Sequence, residues 1–435
     1  MAQLFFSPEV TQPCDRRGQR LCSEVHARSS SSPALPGLRR TPASAGLEGP
    51  RVSEARKGDG CRLLFVGNMP SFFVSHRLRL ALAAQAAGYE VHVATPPGPG
   101  LEEIEAAGLP CHLFPLNRSG TQPWAEVQTL SALAGVYRRV RPGLAHHVAL
   151  KPVAYGGLVA RALRVPAVVH ALAGLGYSFT SRSLRARLLA ASIPSLLRAA
   201  CVAPNARILV QNPDDRAFCQ HRLRAAPKQI SLIKGSGVDL ERFQPTPEPA
   251  GPIRIVLAAR MLWDKGVHEF VEAARLLQER DLDVVLTLVG GTDLENPSAV
   301  PLERLQAWQA QGLVEWWGHR EDMAEVMKSA HVVCLPSYRE GLPKALVEAA
   351  AAGRPIVTTD VPGCRDVVTR RNGILVEARS GPALAHAIER LARDGELRRS
   401  MGAAGRVLAE EELGLSAVIE QTLDVYALAR QSALR

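Results

Sequence analysis

Aromatic residues make up only 5% of the 435-residue chain, and no run of Lys or Arg alternates with them. Platforms for nucleic acid need stacking rings beside cations, so nucleic acid is not an expected partner. Eight cysteines (Cys14, Cys22, Cys61, Cys111, Cys201, Cys219, Cys334, Cys364) are scattered, with no C-x-x-C pair and no histidine at zinc-ligand spacing. They read as reduced thiols of a cytosolic protein. No apolar run reaches the roughly 18 to 20 residues that span a bilayer, and no apolar signal segment opens the chain, so a cytoplasmic location is expected. No G-x-G-x-x-G follows a leading strand pattern, and the VGN turn offers one glycine, which argues against a dinucleotide dehydrogenase.

The chain does have ample apolar content, 46%, for packed cores in two or three domains. Its formal charge of +10 is unevenly spread: 21 basic residues face 9 acidic ones between positions 61 and 246, whereas acidic residues outnumber basic ones by five from 247 onward. Residues 1–60, with the Ser29 to Ser32 tract and many Pro, Gly and Arg, carry no apolar periodicity and are expected to be disordered. Their Arg and Ser content suits a transit peptide, but Glu9, Asp15 and Glu24 argue against one, and a start codon placed too far upstream is equally compatible.

From Arg62 short apolar runs alternate with helical patterns: RLLFVGN, HRLRLALAAQAAG, YEVHVAT, LEEIEAAG, LPCHLFP. This is the rhythm of strands and covering helices in a parallel sheet. It restarts at IRIVLAAR, after the Pro-rich stretch FQPTPEPAGP at 243–252, and runs to GILV, before a long amphipathic pattern, LSAVIEQTLDVYALAR. The expected architecture is α/β, with two doubly wound domains. Such sheets bind ligands beyond the carboxyl ends of their strands, so a cleft between the domains is the expected site.

In SYREGLPKALVEAAAAGRPIVTTDVPG a strand ends in a loop with Glu340 and Gly341, and a helix begins near Pro343 with Glu348 on its second turn. Free N–H groups at such a helix start can seat phosphate or sugar hydroxyls, and carboxylates accept hydroxyl hydrogen bonds. In AARMLWDKGVHEF, Arg260 follows a strand and Lys265 precedes a helix, two cations poised to neutralise a departing diphosphate. No Asp-x-Asp stands at a strand end; Asp281 and Asp283 precede one.

The string at 340–366 resembles the family-four retaining glycosyltransferases, whose donor domain carries E-G-x-P-x4-E-A-x3-G-x-P-V; Gly353, Pro355, Asp360, Gly363 and Asp366 also match. The resemblance covers roughly residues 62–430 and implies the two-domain GT-B fold. It implies an acceptor domain at 61–246, a nucleotide-sugar domain at 247–412, and a last helix, 413–435, packing back on the first. It makes Arg260, Lys265 and Glu340 the catalytic set, with Glu348 on the ribose and the amides of Gly341, Leu342 and Pro343 near the diphosphate. The loop with Gly318 and His319 goes to the nucleobase, although His319 equally suits a plain loop histidine. One departure is Ala258, where relatives often have glycine.

The loops VGNMPSFFVSHRLRLA, HHVALKPVAYGG and VHALAGLGYSFT resemble the branch that extends undecaprenyl-diphosphate-linked saccharides with N-acetylhexosamine or a related sugar. Asn68, Ser71, His76 and Arg77 are then acceptor contacts, and Lys151 either meets an acceptor phosphate or snorkels at the surface. The histidine common in relatives is replaced by Ala173 before Gly174; His170, three residues earlier, is either its substitute or a structural histidine. The resemblance implies no cofactor beyond the nucleotide diphosphate sugar, with a UDP-sugar the expected donor, and no metal. The segment SRSLRARLLAASIPSLLRAA, with Leu184, Leu188, Ile193 and Leu197 among Arg182, Arg185, Arg187 and Arg198, suits either an anionic membrane leaflet or a core-facing helix. An epimerase or hydrolase of the same architecture, or an inactive nucleotide-sugar-binding partner, are the alternative functions.

Overall fold

The computed structural model describes residues 57–117, 122–172, 184–280, 282–293 and 296–433, without the side chains of 184–192. The expectations for residues 1–56, Ala173, Gly174, Arg182 and Asp281, and for the side chains of Leu184, Arg185, Arg187 and Leu188, fall outside that set.

Two parallel sheets organise the chain. The first joins β1 (Arg62–Val66), β2 (Glu90–Thr95), β3 (Cys111–Leu113), β4 (Leu144–Val148), β5 (Ala167–Leu172), β6 (Ala206–Val210) and β7 (Ile230–Leu232) in the order β3-β2-β1-β4-β5-β6-β7. The second joins β8 (Ile253–Ala258), β9 (Val284–Val289), β10 (Glu315–Trp316), β11 (Val332–Leu335), β12 (Ile356–Thr359) and β13 (Gly373–Val376) in the order β10-β9-β8-β11-β12-β13. In both, strand order reverses beside the first strand, at β1/β4 and β8/β11. A crevice opens at such a point because the flanking connections leave to opposite faces of the sheet.

The strands are short apolar runs because both of their faces are covered. In β1, Leu63 and Phe65 pack on one side with Tyr89, Leu144 and Val425, while Leu64 and Val66 pack on the other with Leu133, Val136 and Tyr137. In the helix Val267–Gln278 the residues Val267, Phe270, Val271, Ala274 and Leu277 recur at helical spacing and are all buried.

The chain returns to the first domain at its end. Val238 N–H donates to Leu413 O and Leu415 N–H donates to Val238 O, both at 2.9 Å, where the helix Leu415–Ala433 begins. That helix buries Val418, Leu423, Val425, Tyr426 and Ala429 in the first domain's core. Tyr426 OH lies 2.5 Å from His146 Nδ1 in the middle of β4.

Two local outcomes bear on the sequence expectations. The stretch after β1 is not simply a loop: Pro70–His76 forms a helix, with Pro70 in its first turn, where no N–H is needed for the helical ladder. In the helix Leu184–Cys201, which carries Pro194 in its interior, Leu197 is fully buried and Ile193 packs against the same core, while Arg198 is exposed. In the described part of that helix Ile193 and Leu197 thus turn inward while Leu196, 39% exposed, faces solvent beside Arg198.

Candidate active site

The crevices of the two sheets share a cavity of about 420 Å³, with Phe72, His76, Arg77, Gln211 and Ser236 on one wall. The other wall is Arg260, Asp264, Lys265, Asn296 and the run Tyr338 to Ala345. Arg260 and Lys265 follow β8 and Glu340 follows β11, so the switch point of the second sheet delivers all three.

Lys265 and Glu340 are held together. Lys265 Nζ lies 2.6 Å from Glu340 Oε1, which also accepts from Ser337 Oγ at 2.7 Å; the two charged side chains are 16% and 13% exposed. Arg260 Nη1 donates to Asp293 Oδ2 at 2.6 Å, with half of the arginine side chain in solvent. The backbone under Glu340 is set by close approach. Glu340 N–H donates to Pro362 O, and Gly363, at φ +85°, passes so near that a Cβ would stand 2.6 Å from Glu340 O. Only glycine tolerates both the left-handed angle and that distance. Asp366 Oδ2 accepts the Gly363 N–H at 2.9 Å, which explains why Gly363 and Asp366 accompany Glu340 in the signature.

On the facing wall His76 stacks on Phe72, with ring centroids 4.0 Å apart. Its imidazole is held down to about 3, first by burial and then by the positive charges of Lys344 and Arg77, so it is neutral at physiological pH. Arg77 is 7% exposed; its Nη1 donates to His76 O at 3.3 Å and its Nε has no partner among the described residues. The cavity therefore offers cations from both domains. Glu340 is already committed to Lys265, leaving room for an anionic ligand.

Of the residues singled out in the sequence, His76, Arg77, Arg260, Lys265, Glu340, Gly341, Leu342 and Pro343 line this cavity. The others do not. Glu348 lies one turn below it, 4% exposed, its carboxyl raised by burial and opposed by Lys344 Nζ at 3.3 Å. Gly318 and His319 follow β10 at the sheet's edge, where Gly318 O accepts from Gly290 N–H at 2.7 Å and His319 is exposed. Asn68, just after β1, and Ser71, in the helix Pro70–His76, are half-buried; Asn68 Oδ1 has no partner among the described residues. Lys151 turns to Glu126 at 2.8 Å and to Asn117 O at 2.6 Å, so its charge is engaged within its own domain. His170 is fully buried in β5, its Nδ1 3.1 Å from His147 Nδ1, and burial holds it down to about 3. A side chain closed inside the sheet cannot reach a reacting carbon, and the structure assigns His170 to the core.

Sequence reading passed over Asn212, Asp215, Ser337, Arg339 and Lys344, all of which hold the signature loop. The run Asn212-Pro213-Asp214-Asp215 carries a helix-start signal, a capping Asn followed by Pro, that could have drawn attention to the first pair.

Residues 252–394 match the model of the family described as glycosyl transferases group 1, and residues 62–206 match that of the glycosyl transferase 4-like family. The chain belongs to the family-four glycosyltransferases. Among its relatives is the N,N'-diacetylbacillosaminyl-diphospho-undecaprenol alpha-1,3-N-acetylgalactosaminyltransferase of Campylobacter jejuni, 27% identical over 78% of this chain and 92% of that protein. Another is the UDP-Gal:alpha-D-GlcNAc-diphosphoundecaprenol alpha-1,3-galactosyltransferase of Escherichia coli, 26% identical over 62% of this chain and 71% of that one. The chain also superimposes on a glycosyltransferase from Rickettsia africae (TM-score 0.65, 16% identity, 85% of this chain and 99% of that one). The HepE protein of Anabaena, solved with UDP, gives TM-score 0.65 at 17% identity over 83% of this chain and 98% of that one. The two-domain GT-B architecture expected from the resemblance is thus the fold of this glycosyltransferase. Among the described residues no helix is long and apolar enough to cross a membrane.

Proposed function

We propose that this glycosyltransferase moves a sugar, an N-acetylhexosamine or a close relative, from a UDP-sugar to a lipid-linked saccharide, retaining the anomeric configuration and using no metal ion. The observation that carries the donor half is the Lys265–Glu340 pair beside Arg260 at the ends of β8 and β11, facing the start of the helix Lys344–Ala351. Lys265, Arg260 and the amides around Gly341, Leu342 and Pro343 would meet the diphosphate, and Glu340 the sugar hydroxyls. Glu348 would take the ribose and the Gly318–His319 loop the base. The acceptor half is supported by the two relatives, whose names specify diphospho-undecaprenol-linked saccharides. His76 and Arg77, on the opposite wall, are the acceptor contacts that the cavity supports.

In the transfer the bond from the anomeric carbon to the leaving phosphate oxygen breaks. The acceptor hydroxyl oxygen attacks the same face, and its proton passes to an oxygen of the departing diphosphate. Negative charge builds on that diphosphate, and the fixed cations of the second domain stabilise it without reorganising. Positive charge from Arg260 and Lys265 supports the metal-independent reading.

The test is incubation with a panel of UDP-sugars and an undecaprenyl-diphosphate-linked saccharide, with and without EDTA, and assignment of the new linkage by NMR. An α-linked lipid product from an α-linked donor, formed equally in EDTA, is expected. Release of free sugar at full rate without acceptor would overturn the acceptor half in favour of a hydrolase.

A further inference from the structure

Between the two domains, the signature loop is tied to a helix that takes no part in the donor contacts. The helix Pro213–His221 of the first domain is capped by Asn212, whose Oδ1 accepts from Asp215 N–H at 2.8 Å. The amide nitrogen of the same side chain donates in two directions, to Asp215 Oδ2 at 3.0 Å and across the domains to Gly341 O at 2.8 Å. Asp215 Oδ1 in turn accepts from Arg339 Nη2 at 2.8 Å. Asn212 and Asp215 are both fully buried. Two neighbouring contacts fix the loop on either side: Lys344 Nζ donates to Ser75 O at 3.0 Å, and Gly235 packs so closely that a Cβ there would stand 2.9 Å from Leu342 Cδ2.

These four contacts cross between the domains and all meet residues 339–344, the segment that carries Glu340, whereas Arg365–Asp214 at 3.9 Å and Arg242 Nη2 to Glu321 O at 3.1 Å join the domains elsewhere. The peptide between Gly341 and Leu342 is planar and trans, so its carbonyl and its N–H point in opposite directions. Holding the Gly341 carbonyl therefore also fixes the Leu342 N–H, at the cavity wall where a diphosphate would lie.

We infer that Asn212 is a positioning residue for nucleotide-diphosphate binding: through Gly341 it orients the donor loop, so the donor site is complete only when the first domain is docked on the second. This rests on the functional reading above. The coupling makes the acceptor-side domain a component of the donor site without its touching the nucleotide. Asn212 uses both its amide nitrogen and its amide oxygen within this contact set, so no smaller capping residue can reproduce it.

The test uses Asn212→Ser in the full chain. Serine caps a helix about as well as asparagine, so the fold is kept, but its hydroxyl is too short to reach Gly341. Titration calorimetry with UDP should show affinity weakened about tenfold, the weight of one hydrogen bond of about 1.4 kcal/mol. UMP, which lacks the second phosphate, should lose less than about twofold. In turnover the KM for the sugar donor should rise while the KM for the acceptor stays in place. Asn212→Asp, which also caps but sets a carboxylate against the Gly341 carbonyl, should weaken UDP further. UDP affinity in both folded variants within about twofold of the wild type overturns the inference alone. Failure of the wild type to bind any of UDP, GDP or ADP overturns the functional reading and the inference with it.

Discussion

Replacing Lys265 with methionine separates the chemical role of this side chain from its structural one. Methionine keeps the aliphatic stem and deletes the ammonium 2.6 Å from Glu340 Oε1. Glu340 then retains the Ser337 hydroxyl at 2.7 Å and its access to solvent through the cavity. The cost in stability is accordingly that of a partly satisfied polar group, about 1 to 3 kcal/mol. The cost in rate is larger. A unit charge about 4 Å from a developing charge, at the effective dielectric of a partly buried site, contributes about 4 kcal/mol. Removal of one preorganised stabiliser elsewhere costs roughly 10² to 10³ in turnover, which agrees. The measurement is steady-state transfer from a UDP-sugar to the lipid-linked acceptor, with thermal melting recorded on the same preparations. A double variant, Lys265→Met with Glu340→Gln, tests whether the two act as a unit: its loss should fall well short of the two single losses combined, because the residues share one contact. Turnover of folded Lys265→Met within about threefold of the wild type would refute the assignment of this cation to the leaving group.

Arg260→Ala should lower kcat/KM about a hundredfold while changing stability by less than about 1 kcal/mol, since the side chain is half exposed and its bond to Asp293 is a surface pair; equal activity counts against its role. Acid should destabilise the first domain. His146, His147 and His170 are fully buried in β4 and β5, and burial lowers all three from 6.5, His170 to about 3. The unfolded chain then binds three more protons below 6.5, so stability is complete above that pH and falls as pH drops towards 3, by about 4 kcal/mol per pH unit at most. Urea unfolding at about pH 7, 6 and 5 checks this, and a flat profile contradicts it. Tyr426→Phe leaves His146 Nδ1 without its 2.5 Å partner inside the sheet and should cost about 1 to 3 kcal/mol, read as a lower urea midpoint. Finally, the excess of basic residues between 61 and 246 should bring the protein to anionic vesicles at low salt and release it at high salt; no flotation at low salt removes the membrane contact.

Alternating apolar runs and helical patterns made both sheets legible, because burial on two faces demands uninterrupted apolar strands whatever lies around them. The donor signature was legible for a related reason: Glu340, Gly341, Pro343 and Gly363 are local requirements of one loop and the helix after it, and local requirements leave fixed spacings. Lys265 and Arg260 could be picked out at the end of a strand, but not their partners, since Glu340 and Asp293 are distant in sequence and meet them only in the folded domain.

The sequence by itself determined the class of fold, the family and the run of second-domain residues that lines the cavity, all of which follow from short-range pattern. Tertiary structure alone decided which of the candidate residues share a cavity. It withdrew Lys151 to Glu126 and closed His170 inside β5, because a charged or polar side chain goes to whichever partner the folded chain brings within reach. It also joined Asn212 to Gly341, two residues 129 positions apart, a contact that exists only because the two domains dock and that no spacing in the sequence encodes.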